Sequence, residues 1–147
     1  MVNPFRFQKI MDVKENEKEQ SLAEYNQSVN DFENVANKLY DSLKQKEVLE
    51  ETTLARLNSG MSVQEIRHYQ QFVSNIEKTI THYQKLVQLT RNRMNEKQMK
   101  LMQKNIEVKK YEKLKEKQLE QYILATKHSE NKQMDDLSIQ SYMYRGS

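Results

Sequence analysis

Between Pro4 and Gly146 the chain holds a single glycine, Gly60, and no further proline. A sheet-rich fold needs turn chemistry at every reversal, and two glycines and one proline in 147 residues do not supply it. Long helices with one reversal, at Asn58-Ser59-Gly60, are what remains. Hydrophobic residues make up 36% of the chain and charged ones 31%, where a globular domain carries roughly 45–50% apolar residues. That apolar material suffices for a narrow seam between helices and not for a thick core. The fold class read from this is all-α: two long helices in an antiparallel coiled-coil hairpin, with a C-terminal helical overhang.

Pro4 suits a helix start because its missing N–H costs nothing there. Helix one is expected over about 5–57, the turn over 58–61, helix two over about 62–130 and a tail over 131–147, all within one coiled-coil domain. Three cues mark the second start. Gly60 can end a helix in a left-handed conformation, Ser62 and Glu65 have the spacing of a capping box, and Met61 and Ile66 have that of a hydrophobic staple.

Alternating spacings of three and four mark the seams. In helix one the line reads Leu22, Tyr25, Val29, Phe32, Ala36, Leu39, Leu43, with gaps of eleven to Met11 and to Leu54 that predict four-residue stutters. In helix two it reads Ile66, Tyr69, Val73, Ile76, Ile80, Tyr83, Val87, and then more thinly Met94, Leu101, Val108 and Tyr111. A turn near residue 60 sets residue i beside about 120 − i. The acidic stretch 12–33, with seven acids against Lys14 and Lys18, then lies beside most of the basic stretch 91–117, with ten Lys/Arg against four Glu. Opposite charges flanking a seam select partner and direction, each exposed pair contributing under about 1 kcal/mol.

This register leaves nothing in helix one to cover helix two beyond about Lys115. Two apolar clusters fall in the overhang: Tyr122, Ile123 and Leu124, then Met134, Leu137, Ile139, Tyr142 and Met143. An apolar stripe without an intramolecular partner is a binding surface or a disordered tail. Phe72 stands out for a different reason. It adjoins the seam residue Val73 instead of occupying the seam, which puts a large apolar side chain on the flank.

The chemistry of sites is sparse. His68 and His82 are fourteen residues apart on one helix face, roughly 21 Å at 1.5 Å per residue, too far to share a metal ion, and His128 lies in the overhang. No glycine-rich phosphate loop or nucleophile motif occurs, and the chain has no cysteine. No enzyme activity, cofactor or small-molecule ligand is expected. The longest apolar runs fall far short of the ~18 residues a membrane span requires. Basic residues 91–117 leave open a dimeric coiled-coil spacer or a nucleic-acid-associated structural protein as the alternative, although pairing with the acidic helix accounts for most of that charge.

The opening Phe5-Arg6-Phe7-Gln8-Lys9, the turn Ser59-Gly60-Met61-Ser62, the run Tyr69-Gln70-Gln71-Phe72 and the closing Lys132-Gln133-Met134-Asp135-Asp136-Leu137 together resemble one family. It is the flagellar export protein FliJ family, a small coiled-coil component of the flagellar type III secretion apparatus, and the resemblance spans essentially the whole chain. It implies a fold similar to the central stalk subunit of rotary ATPases, with a stalk-like end entering the ring of the hexameric export ATPase. It also implies contact with the cytoplasmic domain of the transmembrane export gate, coupling ATP hydrolysis to proton-driven export, and interaction with export chaperones. By motif match Tyr69, Gln71, Phe72 and Ile76 are carried to the gate-contacting surface, while residues 38–50 offer no motif for its helix-one half. Phe5, Phe7, Tyr122, Ile123, Leu124, Met134 and Leu137 are assigned to the ATPase-ring contact. A cytoplasmic protein, peripheral at the cytoplasmic face of the cell membrane through its partners, is the expectation, with a role in flagellum biogenesis and motility and without nucleic acid as a partner.

Overall fold

The computed structural model describes residues 7–145 and consists, over those residues, of two α-helices: α1, Gln8–Ser59, and α2, Val63–Arg145. They pack against each other as an antiparallel coiled-coil hairpin. The molecule divides into two units, residues 20–102 with the turn, and residues 1–19 together with 103–147.

Turn chemistry falls where the sequence places it. Gly60 has φ of +99°, its N–H donates to the Leu57 carbonyl at 3.3 Å, and helix α1 stops. Ser62 then caps α2: the Glu65 backbone N–H donates to its Oγ at 3.1 Å, and the Ile66 N–H to its carbonyl at 3.1 Å. The Glu65 carboxylate lies 3.5 Å from the Arg56 guanidinium, tying the last turn of α1 to the first of α2.

The seam of α2 follows the expected line, with Ile80 and Val108 buried and Ile66, Tyr69, Val73, Ile76, Tyr83, Val87, Met94, Leu101 and Tyr111 half-buried. The seam of α1 differs from the expectation on alternate positions. Ser21, Ser28 and Ser42 are buried, at 2%, 3% and 6% exposure, while the neighbouring Leu22 and Leu43 stand 44% and 45% exposed. The inward line is Met11, Lys14, Lys18, Ser21, Tyr25, Ser28, Phe32, Val35, Leu39, Ser42, Lys46, Leu49 and Thr53, and every one of these is buried or half-buried. Its spacings alternate without a break, so the expected stutters do not occur.

Size complementarity explains the shift. Cross-helix ion pairs join residues whose numbers sum to 121–124, so the two inward lines mate at about residue i with residue 122 − i, a register that puts Ser21 level with Leu101, Ser28 with Met94, Ser42 with Ile80 and Thr53 with Tyr69. A small side chain on one helix makes room for a large one on the other, and the leucines next to the serines move to the flank. Two of the four buried hydroxyls bond locally: Ser28 Oγ donates to the Tyr25 carbonyl at 2.6 Å and Ser42 Oγ to the Lys38 carbonyl at 2.9 Å.

Ion pairs between the helices hold the same register. In the turn-containing unit, Glu24 Oε2 accepts from Lys97 Nζ at 3.3 Å and from Lys100 Nζ at 3.2 Å, and Lys46 Nζ lies 3.4 Å from Glu77. In the other unit, Lys104 Nζ donates to Glu17 at 3.1 Å and Lys14 Nζ lies 3.3 Å from Glu107. The hydrogen bonds from Lys100 and Lys97 hold the Glu24 carboxyl below its ordinary value, that from Lys104 does the same for Glu17, and Glu107 raises Lys14. Acidic α1 thus lies along basic α2, as the charge pattern predicts.

Beyond Gln118, every residue of α2 as far as Arg145 is exposed. This overhang is helical throughout, past residue 130 where the sequence reading ends the helix. The reason is local: 119–145 contains no glycine or proline, so nothing in the sequence stops the hydrogen-bond ladder.

Candidate partner-binding surfaces

A side chain on the flank of a two-helix coil has no third element to bury it, so apolar flank residues stay open to a partner. The clearest case lies in the turn-containing unit. Phe72 is 64% exposed, and with Ile76 it forms one wall of a shallow groove whose other wall is Val48, Leu49, Thr52 and the stem of Lys44. Val48 is itself 50% exposed. The two walls meet because the register carries residues 44–52 of α1 alongside 72–76 of α2.

The expected gate-contact residues therefore separate into two sets. Phe72 and Ile76 are together in the groove, and Tyr69 is half-buried in the seam opposite Thr53, one turn before Phe72. Gln71 does not join them. At 100° per residue it lies roughly 160° around α2 from Tyr69, on the exposed opposite side. Val48 and Leu49, on the α1 side of the groove, escape the sequence reading because the expected α1 line passes from Leu43 to Leu54: Leu49 belongs to the inward line that this skips, and Val48 adjoins it on the flank.

The second surface is the overhang. Tyr122, Ile123 and Leu124 are 42%, 54% and 65% exposed, and Met134 and Leu137 are 67% and 64% exposed. Two shallow depressions mark its surface, one lined by Tyr122, Ile123 and Thr126, the other by Met134, Leu137 and Tyr142. Phe7 is half-buried just ahead of α1, apart from both depressions, and Phe5 lies outside the described residues. Sequence reasoning thus located these apolar clusters by subtraction, from the residues that α1 is too short to cover.

His68, His82 and His128 are all exposed, the His82 ring resting at a tilt 5.5 Å from that of Tyr83. Among the described residues, no three His, Cys, Asp or Glu side chains come together as metal ligands, and no helix is long and apolar enough to cross a membrane. The Arg91 guanidinium lies 5.6 Å over the Phe32 ring, so one cation of the basic run is engaged by an aromatic face.

Comparison with known proteins decides the family. The family model described as "Flagellar FliJ protein" matches residues 3–147. The chain belongs to the flagellar FliJ family. A curated relative, the flagellar FliJ protein of Bacillus subtilis (strain 168), is 59% identical over 146 residues, covering 99% of this chain and 99% of the relative. No solved structure matches. As a family member the chain is a flagellar, export-associated protein, and the family is not one of enzymes.

Proposed function

We propose that this chain acts in flagellar export as a stalk-like coupling factor between the hexameric export ATPase ring and the transmembrane export gate, and that it also engages export chaperones. The observation that carries the reading is that two apolar surfaces are left open, one in each unit: the Phe72–Val48 groove and the overhang from residue 119 onward. A coupling factor needs two docking surfaces that do not compete. The groove suits the gate's cytoplasmic domain, with Phe72 as anchor and Ile76, Val48 and Leu49 around it. The overhang suits the ATPase ring through Tyr122, Ile123, Leu124, Met134 and Leu137. Association with the cytoplasmic face of the membrane then comes through the gate.

Support for a nucleic-acid role is weaker. Lys97, Lys100 and Lys104 of the basic run are paired with Glu24 and Glu17, which leaves less free charge to displace counterions from phosphate.

Two variants test the proposal. Replacing an exposed aromatic anchor removes about 2 kcal/mol or more of binding, roughly a thirtyfold rise in Kd, so Phe72→Ala should weaken binding of the gate's cytoplasmic domain with unchanged helicity. Unaltered affinity in a calorimetric titration removes the groove from the gate contact. Ending the chain after Lys117 should abolish stimulation of the export ATPase while gate binding persists; full stimulation by the shortened chain refutes the ring assignment.

A further inference from the structure

On one face of the overhang the spacing of the residues is the same in both directions. Helix geometry puts Leu119, Ile123, Thr126, Glu130, Met134, Leu137 and Ser141 on a single line, with spacings of 4, 3, 4, 4, 3 and 4 residues and Glu130 at the centre. All seven are exposed, Leu119, Ile123, Met134 and Leu137 by 46%, 54%, 67% and 64%. Both depressions of the overhang lie along this line.

We propose that a second copy of this chain pairs antiparallel with the first along this line, with a two-fold axis at Glu130. A two-fold interface must be self-complementary, residue i meeting j while j meets i, and a palindromic line satisfies that condition in every layer. About Glu130 the layers are Ile123 with Leu137 of the other copy, Thr126 with Met134, and Leu119 with Ser141, each occurring twice. Two of these layers, Thr126 with Met134 and Leu119 with Ser141, repeat the size rule of the molecule's own seam, in which Ser21 lies level with Leu101 and Ser28 with Met94. Charge selects the direction. Parallel in-register pairing sets Glu116, Lys127 and Glu130 each against its own copy, whereas antiparallel pairing does so only for Glu130, brings Glu116 towards Arg145, and leaves Lys127 one turn from the facing Glu130. The central carboxylates make the pair weak and reversible. The inference rests on the overhang alone, so a negative result with the export ATPase leaves it standing; if both hold, self-pairing and ring docking compete for the same residues.

The chain contains no cysteine, so introduced thiols report geometry directly. Positions 123 and 137 face each other across the proposed interface, while either position is about 21 Å from its own counterpart, beyond disulfide reach. A mixture of Ile123→Cys and Leu137→Cys chains should cross-link under mild oxidation, and each variant alone should not. Sedimentation equilibrium should show an apparent mass rising above 17.7 kDa with concentration. Leu137→Lys should hold the mass at the monomer value, and Glu130→Leu should tighten association by about tenfold or more by replacing the polar central layer. Equal cross-linking by either variant alone overturns the antiparallel arrangement. A monomer at every concentration for both the native chain and Glu130→Leu overturns the interface.

Discussion

Residues 20–102 and the overhang 119–145 are built from similar amino acids, yet one is organised by what it faces and the other by what it lacks. In the paired region, Ser28 and Ser42 are buried because large side chains of α2 need the space, and Leu22 and Leu43 are left outside. In the overhang, Leu137 and Met134 stand more exposed than those flank leucines, with no α1 residue in register to cover them. Burial in a two-helix coil is thus a property of the pair of positions, and hydrophobicity alone does not decide which residue turns inward.

The sharpest way to break that contrast is to remove equivalent apolar groups from each region. Ile80 is buried, so at a dilution that keeps the chain monomeric Ile80→Ala should cost about 2–5 kcal/mol in a denaturant titration, while Leu137→Ala should stay within about 0.5 kcal/mol of the native chain. Comparable losses at the two sites would mean that the overhang is covered in the free protein. A smaller effect probes the size rule. Ser28→Leu should destabilise by roughly 1–3 kcal/mol through overpacking against Met94, although it makes the seam more hydrophobic, and a gain in stability would show that the serine is not there to make room.

The smallest effect is electrostatic. Glu17 and Glu24 titrate below the ordinary 4.5 in the folded chain, so their contribution to stability is complete above that value and is lost as pH falls through their depressed pKa. Lys14 is raised above 10.5, so its contribution is present below that pH and disappears as pH climbs past the raised value. Melting temperatures across the acid range should fall less steeply for the Glu17→Gln, Glu24→Gln double variant, and molar salt should narrow the difference by screening. Parallel acid profiles for variant and native chain would remove these pairs from the stability of the hairpin.

Much of this fold is legible from residues alone. Gly60, Ser62 and Glu65 mark the turn because capping is local chemistry, and the α2 line from Ile66 to Tyr111 is visible because its inward residues are mostly large and apolar. The α1 line is hidden since three of its inward residues are serines beside leucines or valine, and only the facing helix reveals which neighbour fits. The site divides in the same way. Phe72 is conspicuous as a large apolar residue off the seam, whereas its partners Val48 and Leu49 become visible only once register is known, and Gln71 belongs to a motif without sharing its face.

The mating rule of residue i with 122 − i also constrains how such a chain can change length. One inserted residue in either arm turns everything beyond it by about 100° and unseats each following layer, so viable insertions come as matched sevens, one in each arm. The tip is exempt: nothing lies within 4 Å of where a Gly60 side chain would begin. Length variation among descendants of this chain should accordingly concentrate at the bend and at the free C-terminal arm, where no counterpart must change in step.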